Sequence, residues 1–398
     1  MSDVLDRTHS TGIDGSAIDA VLRDAVASGA VPHVAAIAAD TDGIVYEGAA
    51  GVRTVGVDET PVGTSTQFRI MSMTKMIVTA VALQQVERGE LDLDAPVESY
   101  RPEFGDLQVL EGFDGDSPRL RAPRSKATVK QLITHTSGLT YWFWNAEMVR
   151  YEALTGLPNV VPGRLDALRA PLVADPGTRF EYGINTDWLG RVTEAVGGST
   201  LDQLVAQGIT DPLRMNDTMF ILDAERKRNE VSVHVPSDAG WVSAGDILNQ
   251  EPEWFAGGHG LYSTPRDYIR FEQALLRGGE LDGERILRRE TVDAAFQNQI
   301  GDLDVPEVIP TADPATTDSF LAGPGRKWGY GLLLTTKDVP GGRRAGTGAW
   351  AGLFNTHFFV DRASGICASI YTNSLPFVEE HTAWKMYGDF EQALYSAL

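Results

Sequence analysis

The chain has 398 residues, 42% of them apolar and 9% aromatic, enough for one large unit or two intimately packed ones. Its 34 basic and 55 acidic side chains leave a formal charge of −21, which favours solubility and disfavours nucleic acid or anionic membranes as partners. The single cysteine, Cys367, excludes an internal disulfide and sits in an apolar run as a small core residue, and no Cys/His cluster suggests zinc. Residues 1–15 are polar and acidic without a leader pattern, and no run approaches ~18 consecutive apolar residues. A cytoplasmic protein without a membrane span is expected.

Residues 17–27 repeat apolar positions at the helical period and break at Ser28-Gly29. Residues 34–39 and 44–48 flank Asp40-Thr41-Asp42-Gly43, a turn sequence, and so predict a hairpin that residues 51–57 can extend. Next comes the chain's one S-x-x-K, Ser72 to Lys75. An apolar run, residues 76–86, follows without Gly or Pro and fades at Glu87-Arg88-Gly89. It predicts a buried helix with Ser72 in its first turn. Helical residues three apart share a face, with Cβ atoms about 5–6 Å apart, so Lys75 lies beside Ser72. A serine hydroxyl is a weak nucleophile until a base removes its proton. Apolar surroundings lower an amine's pKa and make it such a base. The plainer alternative is a helix capped by Ser72, with Lys75 reaching solvent.

Residues 91–100 are expected as an extended connection, because Pro96 bars a regular helix. Residues 114–124, rich in Gly, Pro and charge, are expected as a surface loop, and residues 129–134 as a short helix. The adjacent aromatics Tyr141, Trp142, Phe143 and Trp144 suit a packing plug or a ligand wall. Helical texture continues over residues 187–195 and 201–206. Gly257-Gly258-His259-Gly260 forms a Gly-dense loop, and Ser263-Thr264-Pro265 opens a helix that runs to residue 277. Residues 302–324 read as an acidic, Pro-rich loop. Residues 330–335, 354–360 and 366–371 read as strands, and 378–398 as a terminal helix. This order predicts an α+β fold. Residues 1–90 and 255–398 would form an antiparallel sheet flanked by helices, and residues 91–254 a mainly helical insertion.

Several pieces now stand in a consistent order: Phe68 through Lys75, Leu132 through Leu139, Pro176-Gly177 with Phe180 and Tyr182, Gly257 through Tyr262, Trp328-Gly329-Tyr330-Gly331, and Trp350-Ala351-Gly352. Together they resemble the serine β-lactamase and penicillin-binding-protein superfamily over most of the chain. More narrowly, the chain is similar to class C β-lactamases and, closest, to family VIII carboxylesterases. The resemblance implies a β-lactamase/transpeptidase-like fold, an acyl-enzyme on Ser72, and no metal or organic cofactor. Two departures bear on substrate. Where class C enzymes have Tyr-x-Asn, Tyr182 is followed by Gly183 and Ile184, with Asn185 one place late. Where they have Lys-Thr-Gly, this chain has Trp350-Ala351-Gly352, like the Trp-x-Gly of the esterases. An indole in place of that lysine makes the site apolar and suits an uncharged ester.

On this reading Ser72 attacks an ester carbonyl and Lys75 and Tyr182 share its proton. An ammonium beside the phenol would lower the phenol's pKa, and either group could be the immediate base. The resemblance implies an oxyanion hole made by the backbone N–H groups of Ser72 and Leu353. Candidate substrate-facing residues are Trp350, Gly352, Tyr141, Trp142, Trp144, Trp254, Phe255 and His259. His135 is assigned to loop packing or helix capping, and the absence of G-x-S-x-G argues against a histidine-driven triad. The expected partner is a small-molecule ester, and the expected reaction is hydrolysis of short- to medium-chain uncharged carboxylic esters. The alternatives are a β-lactamase or D-amino-acid peptidase of the same fold, an acyltransferase to an alcohol, and a non-catalytic ligand-binding relative.

Overall fold

The computed structural model describes residues 12–245, 249–313, 319–321, 325–379 and 381–398. An eight-stranded antiparallel sheet forms its centre. In chain order the strands are β1 (His33–Asp40), β2 (Ile44–Thr54), β3 (Asp58–Pro61), β4 (Lys327–Trp328), β5 (Leu333–Leu334), β6 (Gly348–Gly352), β7 (Thr356–Asp361) and β8 (Ile366–Tyr371). In space they run β4-β5-β6-β7-β8-β1-β2-β3. The two ends of the chain meet where β1 pairs with β8, with Ala35 opposite Tyr371 and Ala38 opposite Ala368. The helices that matter here are α1 (Ser16–Ala27), α2 (Thr74–Glu87), α3 (Val129–Ile133), α4 (Asn185–Gly197), α5 (Pro265–Leu276) and α6 (Ala383–Ala397).

Strand β1 is apolar from Val34 to Ala39 because both of its faces are covered. Val34, Ala36 and Ala38 pack with Ile18 and Leu22 of α1 and Phe390 and Leu394 of α6. Ala35, Ile37 and Ala39 point the other way, into the cluster that holds α2 and α5. Cys367 of β8 is buried in that second cluster. Every residue from Thr74 to Leu83 is buried, so α2 is a central helix, apolar nearly all round. Thr264 caps α5 by accepting the Asp267 N–H at 3.1 Å, one position before Pro265.

Four local expectations need correction. Ser72 is not in the first turn of α2. It lies in a 3-10 turn, Met71–Met73, just ahead of that helix. Within residues 114–124 there is a hairpin rather than a loop, because Val109–Asp114 pairs with Ser117–Arg121. Past the buried Val109 and Leu110 the strands are half-buried to exposed and rich in charge, so no continuous buried face imposes an apolar period. Within residues 302–324, Val308–Pro310 pairs with Ser319–Leu321, while 314–318 and 322–324 lie outside the described residues. The terminal helix begins at Ala383, with Val378 at φ 51° and residue 380 outside the described set. The leader reading of residues 1–11 also falls outside it.

Ala146–Thr155 is a helix that the sequence pattern did not reveal. The Asn145 side chain caps it at the Met148 N–H (3.1 Å), and Gly156 ends it at φ 73°. Among the described residues, no helix is long and apolar enough to cross a membrane.

Candidate active site

The site starts at Ser72. Met71, just before it, has φ 47°, the left-handed region that a side chain with Cβ disfavours by about 1–2 kcal/mol. The surroundings hold this turn in place. Met73 N–H bonds Ile70 O at 3.1 Å, and Ile70 N–H bonds Leu261 O at 3.2 Å. One turn on, the Lys75 ammonium nitrogen lies 3.1 Å from Ser72 Oγ. Ser72 is half-buried, whereas Lys75 is 1% exposed, so the lysine does not snorkel. Burial lowers the Lys75 pKa, as the apolar helix implies, and Asp187 opposes the shift.

Tyr182 arrives from the segment before α4. Ser72 lies close enough to its hydroxyl to draw its pKa down, and the hydroxyl accepts the Trp350 indole N–H at 2.9 Å. The Lys75 nitrogen sits 4.8 Å above the Tyr182 ring centroid rather than beside its oxygen. Burial pushes the phenol's pKa up, and Ser72 and Trp350 only partly offset that. The expectation of a phenol acidified by the ammonium is therefore corrected. Tyr182 stays neutral, and Lys75 is the group whose proton is easily lost.

His135 packs rather than titrates. Its ring lies 4.6 Å from that of Tyr182, and burial holds its pKa well below the usual range. Asn185, the late member of the departed Tyr-x-Asn, faces away from the reaction. Its amide nitrogen bonds His135 Nδ1 (2.9 Å), Leu139 O (3.3 Å) and Glu181 O (3.2 Å), and its oxygen takes the Ser137 hydroxyl. It secures the turn that supports Tyr182.

Lys75 also donates to the Tyr141 hydroxyl at 3.0 Å and to the Gly258 carbonyl at 2.7 Å. Both partners lead to Asp187, which is wholly buried on the first turn of α4. Asp187 accepts the Gly258 N–H at 2.8 Å and faces the Tyr141 hydroxyl at 3.4 Å. Burial raises the Asp187 pKa while the nearby Lys75 charge lowers it. A Cβ on residue 258 would lie 2.5 Å from Asp187 and 2.6 Å from the Tyr141 hydroxyl, so only glycine closes this arrangement. Sequence reasoning passed over Asp187, because an acid in the first turn of a helix reads as ordinary end-charge chemistry.

The other candidates divide into three groups. Gly352 lies against the turn that carries Ser72: a Cβ there would meet Ile70 O at 2.3 Å and Met71 Cβ at 3.0 Å. Leu353 follows it directly, half-buried beside Met71 and Phe354. Of the aromatic run, Tyr141 and Phe143 stack in the interior at 5.0 Å, so they form the plug. Trp142 and Trp144 are only half-buried, and Trp144 lies 5.2 Å from the Tyr182 ring. Trp254, Phe255 and His259 line a cleft of about 30 Å³ with Val161 and Phe220. His259 touches the site from that cleft, with Nδ1 3.9 Å from Asp187, and burial lowers its pKa to about 3. A larger cleft of about 840 Å³ opens on another side of α4, at Trp188 and Arg191, and holds none of the sequence-selected residues. Chemistry, not volume, locates the site.

An antiparallel sheet drawn from both chain ends, with helices on both faces and a serine–lysine pair at a central buried helix, defines a serine hydrolase of the β-lactamase/transpeptidase-like fold. The beta-lactamase family model matches residues 18–390, and the chain belongs to that family. It is 33% identical over 369 residues to lovastatin esterase of Penicillium rubens, covering 88% of this chain and 90% of the relative. It is 31% identical over 405 residues to monacolin J acid methylbutanoyltransferase of Aspergillus terreus, covering 95% of each. A solved variant of simvastatin synthase from Aspergillus terreus superposes with a TM-score of 0.81 at 29% identity, over 98% of this chain and 99% of that one. The chain is thus an enzyme of the serine hydrolase and acyltransferase class, which sets aside the non-catalytic alternative.

Proposed function

We propose that this chain is a serine esterase that hydrolyses short- to medium-chain uncharged carboxylic esters through an acyl-enzyme on Ser72. One observation carries the reading. Ser72 Oγ meets Lys75 at 3.1 Å and lies near Tyr182, whose hydroxyl takes the Trp350 indole N–H at 2.9 Å. Neutral Lys75 accepts the Ser72 proton as Oγ bonds to the ester carbonyl carbon. Negative charge forms on the carbonyl oxygen, toward the N–H groups of Ser72 and Leu353. Losing one such donor typically costs about 10²–10³ in rate. The Lys75 ammonium returns that proton to the leaving alkoxide as the C–O bond breaks, and the neutral Tyr182 hydroxyl donates a hydrogen bond to the same oxygen. Water then attacks the acyl-enzyme, and the acid departs with Ser72 restored. The Trp350 ring supplies an apolar wall where an ammonium would attract an anionic substrate.

A second reading is transfer of the acyl group to an alcohol instead of water. It draws support from the likeness to a methylbutanoyltransferase, at 31% identity across 95% of the chain. A p-nitrophenyl ester panel and a chromogenic cephalosporin, each with and without a soluble alcohol, test both readings on wild type and Ser72→Ala. Ester turnover should fall about 10⁴-fold or more in Ser72→Ala. Unchanged ester turnover in that variant would remove the nucleophile assignment. Cephalosporin turnover without ester turnover would replace the esterase reading by the β-lactamase one. A mixed ester as the dominant product would favour transfer.

A further inference from the structure

The bonds around Lys75 close into a ring, and the ring has a direction. Asp187 Oδ1 accepts the Gly258 N–H at 2.8 Å, and the Gly258 carbonyl accepts from Lys75 at 2.7 Å. Lys75 meets Tyr141 at 3.0 Å, and the Tyr141 hydroxyl reaches back to Asp187 Oδ2 at 3.4 Å. Each member is buried: Lys75 is 1% exposed, Tyr141 3% and Asp187 0%.

Neutral Lys75 has two N–H donors and one lone pair, and three neighbours: the Gly258 carbonyl, the Tyr141 oxygen and Ser72 Oγ. The carbonyl can only accept. Tyr141 can accept from Lys75 only if its own proton points elsewhere. An ionised carboxylate accepts and never donates, so Asp187 draws the Tyr141 proton toward itself. The Tyr141 oxygen then faces Lys75 as an acceptor. Both amine hydrogens are taken, and the lone pair is left for the Ser72 proton. Resting on the Ser72 nucleophile reading above, we infer that Asp187 is a positioning residue that, through Tyr141 and Gly258, aims the Lys75 lone pair at Ser72.

The other titratable groups facing Lys75 do not set this direction. His135, from the end of α3, and His259, from the loop before α5, are both held neutral by burial. Tyr182 presents its ring face, not its hydroxyl, to the amine.

Asp187→Asn separates direction from bulk. The Gly258 N–H, the shorter contact, keeps the amide oxygen, so the amide nitrogen must face Tyr141. That NH₂ donates to the Tyr141 oxygen and turns the phenol proton onto Lys75, so the lone pair is lost to Ser72. The value of kcat for a p-nitrophenyl ester should fall about 10²-fold, the scale of a misaligned reacting group, with KM little changed. The acidic limb of the pH profile should move to lower pH, because the anion that favours the ammonium is gone. Adding Tyr141→Phe should restore part of the loss, since the competing donor disappears. The same profiles are taken for the rate at which a fluorophosphonate labels Ser72.

Several results would overturn the inference. One is kcat within twofold of wild type with an unmoved limb in Asp187→Asn. Another is a double variant whose losses simply multiply. If Asp187→Asn does not fold, Tyr141→Phe replaces it, and a profile identical to wild type decides against the ring. Labelling that survives Ser72→Ala would bring down the nucleophile reading and this inference with it. Labelling confined to Ser72 with no response to Asp187→Asn would bring down this inference alone.

Discussion

Two buried ionisable side chains, on two helices of the same core, have opposite fates. Lys75 on α2 is 1% exposed, and Glu272 on α5 is 0% exposed. Burial works against the charge of both, lowering the lysine pKa and raising that of the glutamate well above its usual range. Lys75, however, is ringed by Ser72, Tyr141 and Gly258, with Asp187 one step behind. Glu272 lies within electrostatic reach of Tyr268, Tyr371 and Cys367, with Ser369 pulling its pKa back only in part. Desolvation alone makes a neutral group inert. Desolvation together with directed hydrogen bonds makes one that can take a proton from a neighbour and return it.

The sharpest way to break this contrast is at the lysine. Lys75→Ala should lower kcat about 10²–10⁴-fold, with KM nearly unchanged, because a general base acts only in the transition state. In wild type, activity should rise with pH through the Lys75 pKa, since the neutral amine is the base. That limb should fall well below the ordinary lysine range, because burial lowers this group. A limb at an unperturbed lysine value, in steady-state profiles, would contradict the buried-base reading.

Next in size is Tyr182→Phe, which keeps the ring under Lys75 and removes the hydroxyl that steadies the leaving oxygen. A loss of about 10² in kcat is expected, at the lower end of the acid–base range. Rates matching wild type would assign Tyr182 to packing alone.

On the inert side, Glu272→Gln should flatten the dependence of Tm on pH. The folded glutamate holds its proton above the unfolded pKa. Wild type therefore loses stability as pH rises past about 4.3, by up to about 1.4 kcal/mol per pH unit, until the folded pKa is passed. The glutamine variant has no proton to lose. Parallel Tm curves for the two proteins would show that Glu272 is not held neutral.

The smallest effect should come from Trp350→Phe, which keeps an aromatic wall and removes the N–H on Tyr182. A single neutral hydrogen bond is worth about 1 kcal/mol, so kcat/KM should fall about fivefold. A loss of 10² or more would mean that the indole does more than hold the phenol.

Legibility in the sequence followed the range of the interactions. The Ser72–Lys75 pair and the buried α2 could be read because a three-residue spacing and an apolar period are local. The buried β1 and β8 could be read from their apolar runs, and Thr264 from its place before a proline. The hairpin at Val109–Arg121 was missed, because past the buried Val109 and Leu110 its charged strands carry no hydrophobic alternation. Tyr182 was found by the order of motifs, but its protonation was misjudged. The sign depended on whether the ammonium faces the oxygen or the ring, and it faces the ring.

By itself, then, the sequence determined the pairing of Ser72 with its amine neighbour and a sheet drawn from both ends of the chain, because each is written in adjacent or regularly spaced residues. Only the tertiary structure decided which groups surround that amine. Tyr141 lies 66 residues from Lys75 along the chain, and Gly258 lies 183. Asp187 joins them through packing that no spacing encodes. Their directed bonds exist only after the helices have come together, and the direction of a hydrogen bond depends on what stands on its far side.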